Sequence, residues 1–154
     1  KTRPMGRNAS GVRGVRLKDS NDEVVGMLSV NDMDSDILVV SENGYGKRSK
    51  LDDYRITNRG GKGVKTISIT EKTGSLVSIK NVADGDDLMI INKSGIAIRM
   101  EVNSLRVMGR ATQGVRLINL KDNDSIAAVA KVVLDDEDVQ DIDDIEVVDD
   151  NQIN

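Results

Sequence analysis

The chain has 154 residues, no cysteine and no histidine. Disulfides, thiol catalysis and histidine ligation are therefore excluded, and metal-dependent or triad enzymes become poor candidates. No apolar run approaches the roughly 18 residues of a membrane span, and the charged N-terminus does not resemble a signal peptide, so we expect a soluble intracellular protein. The start without methionine, inside a motif that recurs, indicates a piece of a longer protein.

The net charge of −4 is unevenly distributed along the chain. Residues 135–154 hold ten of the 26 acidic residues and no Lys or Arg, whereas residues 1–134 hold all 22 basic residues against 16 acidic ones, a net charge of +6. The sequence thus predicts a basic body with an acidic, disordered tail. Such a tail either aids solubility or competes with an anionic partner of the body. In the second case, removal of residues 135–154 tightens binding most strongly at low salt.

Short apolar or alternating runs bounded by Gly, Asn, Asp and Ser predict strands throughout the body, and no segment sustains a helical period. The first four predicted strands are Val12–Leu17, Val24–Val30, Ile37–Ser41 and Tyr45–Lys50, with a hairpin turn at Glu42-Asn43-Gly44. The next four are Val64–Ile69, Leu76–Val82, Asp87–Ile91 and Ile96–Met100, and the last two are Val115–Leu120 and Ile126–Val132. Only Tyr45 and Tyr54 could stack on a base, which argues against single-strand recognition on aromatic platforms.

These strands recur with a period of 51 to 52 residues. Met5-Gly6-Arg7 and Gly11-Val12-Arg13 return 103 residues later as Met108-Gly109-Arg110 and Gly114-Val115-Arg116, and a variant with Asn58-Arg59-Gly60 and Gly63-Val64-Lys65 lies between them. A period near 50 with four short strands per unit is typical of a propeller-like array. We therefore predict an all-β domain over residues 1–134, with repeats at about 5–56, 57–107 and 108–134.

The loops that open the repeats carry basic residues at equivalent positions. Arg3, Arg55 and Arg106 recur at the same period. Stacked blades would present these cations as a band along one edge, and such a band suits the phosphates of duplex DNA, which Arg and Lys contact without reading sequence. The glycines allow close approach of the loop backbone to a phosphate. In the structural alternative, the repeated arginines pair with the repeated acids Asp34, Asp36, Asp86 and Asp87.

Three runs resemble the C-terminal domain of bacterial DNA gyrase A, which is part of a type IIA DNA topoisomerase. They are Tyr54 through Thr66, Leu88-Met89-Ile90-Ile91, and Gly109 through Ile118. The resemblance covers residues 1–134 and implies a β-pinwheel of four-stranded blades, of which this chain holds about two and a half. It further implies a rim that wraps duplex DNA, so that the holoenzyme can introduce negative supercoils at the expense of ATP.

The family's box, Gln-Arg-Arg-Gly-Gly-Lys-Gly, has a degenerate counterpart in this chain. The corresponding residues are Thr57, Asn58, Arg59, Gly60, Gly61, Lys62 and Gly63, of which the first two depart from the pattern. The residues that we expect to contact DNA phosphates are Arg7, Arg13, Arg55, Arg59, Lys62, Lys65, Arg106, Arg110 and Arg116. The intact box and the first blades are expected upstream of Lys1.

The resemblance also implies the partners and the setting. The partners are double-stranded DNA and, within a heterotetramer, the B subunit together with the rest of the A subunit. The setting is the bacterial cytoplasm, in association with the nucleoid. We expect no catalytic residue, metal or cofactor here, since ATP and magnesium serve the holoenzyme elsewhere, and Tyr45 and Tyr54 are interpreted as structural or DNA-proximal. Two alternatives stay open: a protein-binding propeller scaffold without a DNA role, and the related domain of the topoisomerase IV A subunit.

Overall fold

The computed structural model describes residues 3–31, 33–121 and 123–132, so the predicted acidic tail lies outside the described residues. The strands are β1 Asp36–Ser41, β2 Tyr45–Lys50, β3 Leu76–Val82, β4 Asp87–Asn92, β5 Ala97–Glu101, β6 Val115–Arg116 and β7 Ile126–Val132. Two short 3-10 turns, Leu51–Asp53 and Val102–Ser104, follow β2 and β5, and the described part of the chain contains no α-helix. The predicted all-β class is confirmed.

Two antiparallel sheets are assembled across the sequence repeats. The first sheet has the order β3-β1-β2-β6 and the second has the order β5-β4-β7. The hairpins β1–β2 and β4–β5 each come from one repeat, but β3 of the second repeat pairs with β1 of the first. One period later, β7 pairs with β4 in the same way, and β6 of the third repeat pairs with β2 of the first. Neighbouring repeats therefore complete one another's sheets.

Most of the predicted strands are present. The bounds predicted for β2, β3 and β7 agree with the structure, those of β1 and β4 differ by one residue at one end, and β5 is shifted by one residue at both ends. The turn before β2 is confirmed as well: the Gly44 amide donates to the Ser41 carbonyl at 3.1 Å. Gly44 has a φ of 79°, in the left-handed region where glycine is favoured.

Three predicted strands are wrong, and all three lack the partner that their position requires. Val12–Leu17, Val24–Val30 and Val64–Ile69 form no strand. In the observed pairing, the second strand of a repeat pairs with the third strand of the repeat before it, as β3 does with β1. The first strand of a repeat pairs with the fourth strand two repeats earlier, as β6 does with β2. The 154 residues contain no repeat that would supply these partners. Strand-forming residues alone do not make a ladder, because its backbone groups need a partner strand.

The predicted strand Val115–Leu120 is shorter than expected, since β6 ends at Arg116. Its partner β2 begins at Tyr45, so the ladder runs out at that point. Beyond it, the amides of Leu117 and Ile118 both donate to the Gly44 carbonyl, at 2.8 and 3.5 Å. The β1–β2 turn therefore terminates β6.

The main core lies between the two sheets and consists of aliphatic side chains. Leu38 and Val40 of β1, Leu88 and Ile90 of β4 and Val129 of β7 are buried there. A smaller cluster with Ile37, Val39 and Ile67 covers the other face of β1. Because successive side chains of a strand point to opposite faces, β1 is buried on both sides and forms the centre of the molecule.

Strand β2 is buried although its sequence is polar. Arg48 is 5% exposed, and its guanidinium binds Asp36 at 2.5 Å and Asp84 at 2.6 Å. Burial acts to lower the pKa of Arg48, but its hydrogen bonds to Asp84 and Asp36 outweigh burial and raise the pKa above its ordinary value. Arg48 thus joins the first sheet to the Asp84 turn of the second repeat.

Candidate nucleic-acid interface

The predicted phosphate-binding cations lie at the surface. Eight of the nine are exposed and Arg110 is half-buried. Within residues 3–31, 33–121 and 123–132, none of them forms a salt bridge. Their positive charge is thus left unneutralised by the described carboxylates, as a phosphate-binding surface requires.

Three of the four repeated acids pair with cations of the strands. Asp36 binds Arg48 and Lys50, and Asp87 binds Arg99 at 2.6 Å one period later. Asp86 binds Lys131 at 3.2 Å. The structural alternative, in which these acids hold the loop arginines, is therefore wrong for Asp36, Asp86 and Asp87.

Backbone hydrogen bonds attach the second arginine loop to the first repeat. The Gly60 amide donates to the Gly14 carbonyl at 2.8 Å, and the Arg16 amide donates to the Gly61 carbonyl at 2.9 Å. Val15 and Gly61 form an isolated parallel bridge at the same place. The box loop therefore lies against the segment that follows Arg13.

The third arginine loop repeats this arrangement one period further along. The Ala111 amide donates to the Thr66 carbonyl at 3.1 Å, and the Ser68 amide donates to the Thr112 carbonyl at 2.9 Å. The Ser68 hydroxyl adds a bond to the Ala111 carbonyl at 2.9 Å. Each loop is thus joined to the repeat before it. We call the three arginine loops together, residues 6–13, 58–65 and 109–116, the loop band.

The glycines of the box serve the loop conformation rather than packing. Gly60 and Gly63 have φ values of 72° and 79°, where other residues are strained. A Cβ at Gly63 would meet no atom within 4 Å, and one at Gly60 would meet only the Arg13 carbonyl at 3.7 Å. The Gly60 amide is already bonded to Gly14, so it is not available to a phosphate. The box therefore presents Arg59 and Lys62 from a solvent-facing loop whose conformation depends on glycine.

A buried lysine that the sequence pattern did not predict holds the third loop. Lys47 is 1% exposed, and its ammonium donates to the Gly109 carbonyl at 2.8 Å. Burial lowers the pKa of Lys47, and the nearby Arg110 acts in the same direction, whereas Asp53 opposes them. Nothing in the polar run around Lys47 signals its burial.

Tyr45 is joined to Arg116 at the end of the loop band. The Tyr45 hydroxyl accepts hydrogen bonds from Arg116 Nε at 3.2 Å and Nη2 at 2.8 Å. The Arg116 guanidinium and the Lys72 ammonium each lie 5.4 Å from the centre of the Tyr45 ring, within cation–π range. The hydrogen bond from Arg116 lowers the pKa of Tyr45. Tyr54, the other tyrosine, is half-buried beside the smaller core cluster.

The described ranges offer neither a metal site nor a helical membrane span. No group of three or more acidic side chains in them is placed to hold a metal ion. Nor does that part of the chain contain a helix of sufficient length and apolar character to cross a bilayer.

A family model described as "DNA gyrase C-terminal domain, beta-propeller" matches residues 3–31, 35–83 and 86–132. The chain belongs to this family. Segment 35–83 contains β1, β2 and β3 of the first sheet, and segment 86–132 contains β4, β5 and β7 of the second sheet together with β6, which pairs with the first sheet. Apart from β6, the matched segments thus follow the sheets rather than the arginine motifs.

Relatives agree with this membership. The chain is 51% identical over 138 residues to the DNA gyrase A subunit of Staphylococcus aureus (strain NCTC 8325 / PS 47), covering 88% of the chain and 15% of that protein. The counterpart from strain MRSA252 is 51% identical over 132 residues, or 84% of the chain and 15% of that protein. The chain therefore spans less than a sixth of the length of these gyrase subunits.

Solved structures show the same fold. A DNA gyrase A C-terminal domain superposes with a TM-score of 0.75 at 32% identity, covering 85% of this chain and 44% of that one. The C-terminal domain of a DNA topoisomerase IV superposes with a TM-score of 0.74 at 22% identity, covering 80% and 38%. The second likeness shows the fold alone. The predicted β-pinwheel and the predicted membership in the gyrase A family are confirmed.

Proposed function

We propose that the chain binds duplex DNA without sequence specificity, through phosphate contacts made by the loop band. The observation that carries this proposal is that the loop-band cations, all exposed except the half-buried Arg110, form no salt bridge within the described residues. By contrast, Arg48, Arg99 and Lys131 of the strands are paired with acids. A protein-binding scaffold would not need unpaired cations at the period of the repeat. Phosphate contacts do need them, and they position DNA without reading base edges.

We further propose that the chain acts within a gyrase holoenzyme. Its relatives, which are named as gyrase A subunits, support this assignment. In that setting the loop band wraps a DNA segment and thereby supports ATP-dependent negative supercoiling. Its protein partners in the bacterial cytoplasm are the B subunit together with the rest of the A subunit. Cleavage and ATP hydrolysis belong to those other parts, and the residues of this chain bind and direct the DNA.

A charge-reversal experiment tests the DNA contacts. The double variant Arg59→Glu/Lys62→Glu changes two exposed loop cations, and Lys80→Glu, which reverses one half-buried cation on the β3 edge of the first sheet, is the control outside the loop band. If both loop cations contact phosphates, the slope of log K against log salt becomes shallower by about 1.8, at about 0.9 per phosphate. Affinity should fall equally for duplexes of unrelated sequence.

Fluorescence anisotropy with labelled duplexes measures both quantities. An unchanged slope in the double variant, or a loss confined to one DNA sequence, would contradict phosphate contacts by the box loop. Lys80→Glu changes the net charge half as much, so a loss of half the size in log K would mean that net charge, not the loop band, determines binding.

A further inference from the structure

A cleft of about 420 Å³ lies where residues of all three repeats meet. The β1–β2 turn contributes Asn43 and Tyr45, the second repeat contributes Lys72, and the third contributes Arg116 and Lys121. We call it the Tyr45 cleft. Its size is within the range of about 300 to 1,000 Å³ that is usual for small-ligand sites. Except for Arg116, its cations do not belong to the loop band.

The lining of the Tyr45 cleft is positively charged. It contains the cations Lys72, Arg116 and Lys121, and Asp124 is the acid among its lining residues. The Asp124 carboxylate already accepts hydrogen bonds from Asn92 Nδ2 at 2.6 Å and from the Ser94 hydroxyl at 2.8 Å. Asp124 is thus engaged by the neighbouring turn, and two cationic charges in the cleft are left without a compensating acid.

The cleft also holds unused hydrogen-bond donors. Arg116 donates from Nε and Nη2 to the Tyr45 hydroxyl and from Nη1 to the Asn119 side chain. Two of the five N–H groups of its guanidinium are therefore free to donate. The ammonium group of Lys72 already contacts Tyr45. Within the described residues, neither Lys72 nor Lys121 forms a salt bridge. The Tyr45 hydroxyl accepts from Arg116 and keeps its own hydrogen to donate.

We propose that the Tyr45 cleft binds a phosphate group of the DNA backbone, in addition to the contacts of the loop band. The proposal rests on the proposed DNA-binding function. A guanidinium fork, two ammonium groups and a phenol hydroxyl suit an oxyanion with several acceptor oxygens. Arg116 lies both at the end of the loop band and in the wall of the cleft, so one DNA strand could pass from one to the other. Inorganic phosphate has the same chemistry, and the test separates the two sources.

The test compares the double variant Lys72→Gln/Lys121→Gln of the 154-residue chain with Lys80→Gln. All three lysines lose one charge without reversal, and Lys80 lies on β3, at the opposite edge of the first sheet from Arg116. One lost phosphate contact makes the salt slope shallower by about 0.9 and weakens duplex binding about eightfold at 0.1 M salt. Tyr45→Phe keeps the ring but removes the hydroxyl, and a smaller loss in the same direction is expected.

The outcomes are distinct. The double variant removes two charges and Lys80→Gln removes one, so a loss in log K of more than twice that of Lys80→Gln supports the proposal. A loss of twice that size or less overturns it while the DNA-binding function stands. If the unmodified chain binds no duplex DNA, both proposals fail. A titration with inorganic phosphate, followed by the amide NMR signals of Tyr45 and Arg116, tests the second source. If inorganic phosphate binds the cleft with millimolar or tighter affinity and the double variant has no effect on DNA binding, the cleft is assigned to free phosphate and the DNA contact is overturned.

Discussion

The same ion pair occurs once in each sheet, 51 residues apart, in very different surroundings. In the first sheet, Asp36 and Arg48 have side chains that are 1% and 6% exposed. In the second, Asp87 and Arg99 are 11% and 50% exposed, although the bonded atoms are 2.5 and 2.6 Å apart in the two pairs. The repeat sequence therefore determines the pair but not its burial.

The difference comes from what covers the last strand of each hairpin. In the first sheet, β6 of the third repeat pairs with β2, and Asp84 of the second repeat binds Arg48. In the second sheet, β5 is an edge strand, and four of its five residues are exposed. Burial in this fold is thus supplied by later repeats. A unit of the array is thus stabilised by contacts with its neighbours as well as by its own residues, as expected for repeat proteins.

Replacing the arginine of each ion pair should give the largest difference in stability loss between the two sheets. Arg48→Met leaves the buried Asp36 with only Lys50 beside it, and we expect a loss of about 4 kcal/mol in the free energy of unfolding. Arg99→Met removes a half-exposed partner and should cost at most about 1 kcal/mol. Urea denaturation followed by circular dichroism gives both values. Equal losses would show that the surroundings of the two pairs do not matter.

A core position gives the next largest effect. Leu38 is fully buried between the sheets, and Met89, which holds the equivalent position one period later, is half-buried. Leu38→Ala should cost about 3 kcal/mol, because it removes buried methyl groups and leaves a cavity. Met89→Ala should cost less than half as much in the same urea experiment. A larger loss at Met89 would contradict the placement of Leu38, rather than Met89, in the main core.

The smallest effect concerns the pH dependence of Lys47. Its pKa is lowered by burial, so in the window between that lowered pKa and about 10.4 the unfolded chain binds more protons than the folded one. Stability should therefore rise with pH across this window in the unmodified chain. Lys47→Met lacks the group and should lack this part of the rise. Parallel pH profiles for the two proteins, from thermal unfolding, would show that Lys47 is not perturbed.

The sequence predicted those strands whose partners are present. Tyr45–Lys50, Leu76–Val82 and Ile126–Val132 form as expected, because their side-chain pattern and their neighbours agree. Val24–Val30 has a comparable pattern but lacks the strand that would complete it. The repeat period also did not predict that β6 pairs with β2, which lies two repeats earlier in the sequence. Local propensity identifies candidate strands, and pairing between distant segments decides which of them form.

The site was predictable to the extent that it follows the period. The loop cations could be found because equivalent positions hold Arg or Lys, and the structure shows them exposed. Lys47 and the Tyr45 cleft could not, since each depends on contacts between different repeats and, apart from Arg116 in the cleft, on side chains that do not recur. The residues one period from Lys72 are Asn21 and Asn123, and the residue one period from Lys47 is Ile98.

The most direct test of phosphate contacts by the loop band is the salt dependence of duplex binding by the unmodified chain. Binding constants would be measured from low to high salt with two duplexes of equal length and unrelated sequence. We predict equal affinities for the two duplexes and a steep linear decrease of log K with log salt, by about 0.9 per phosphate contacted. A flat salt dependence, or a strong preference for one sequence, would contradict binding through the exposed cations of the loop band.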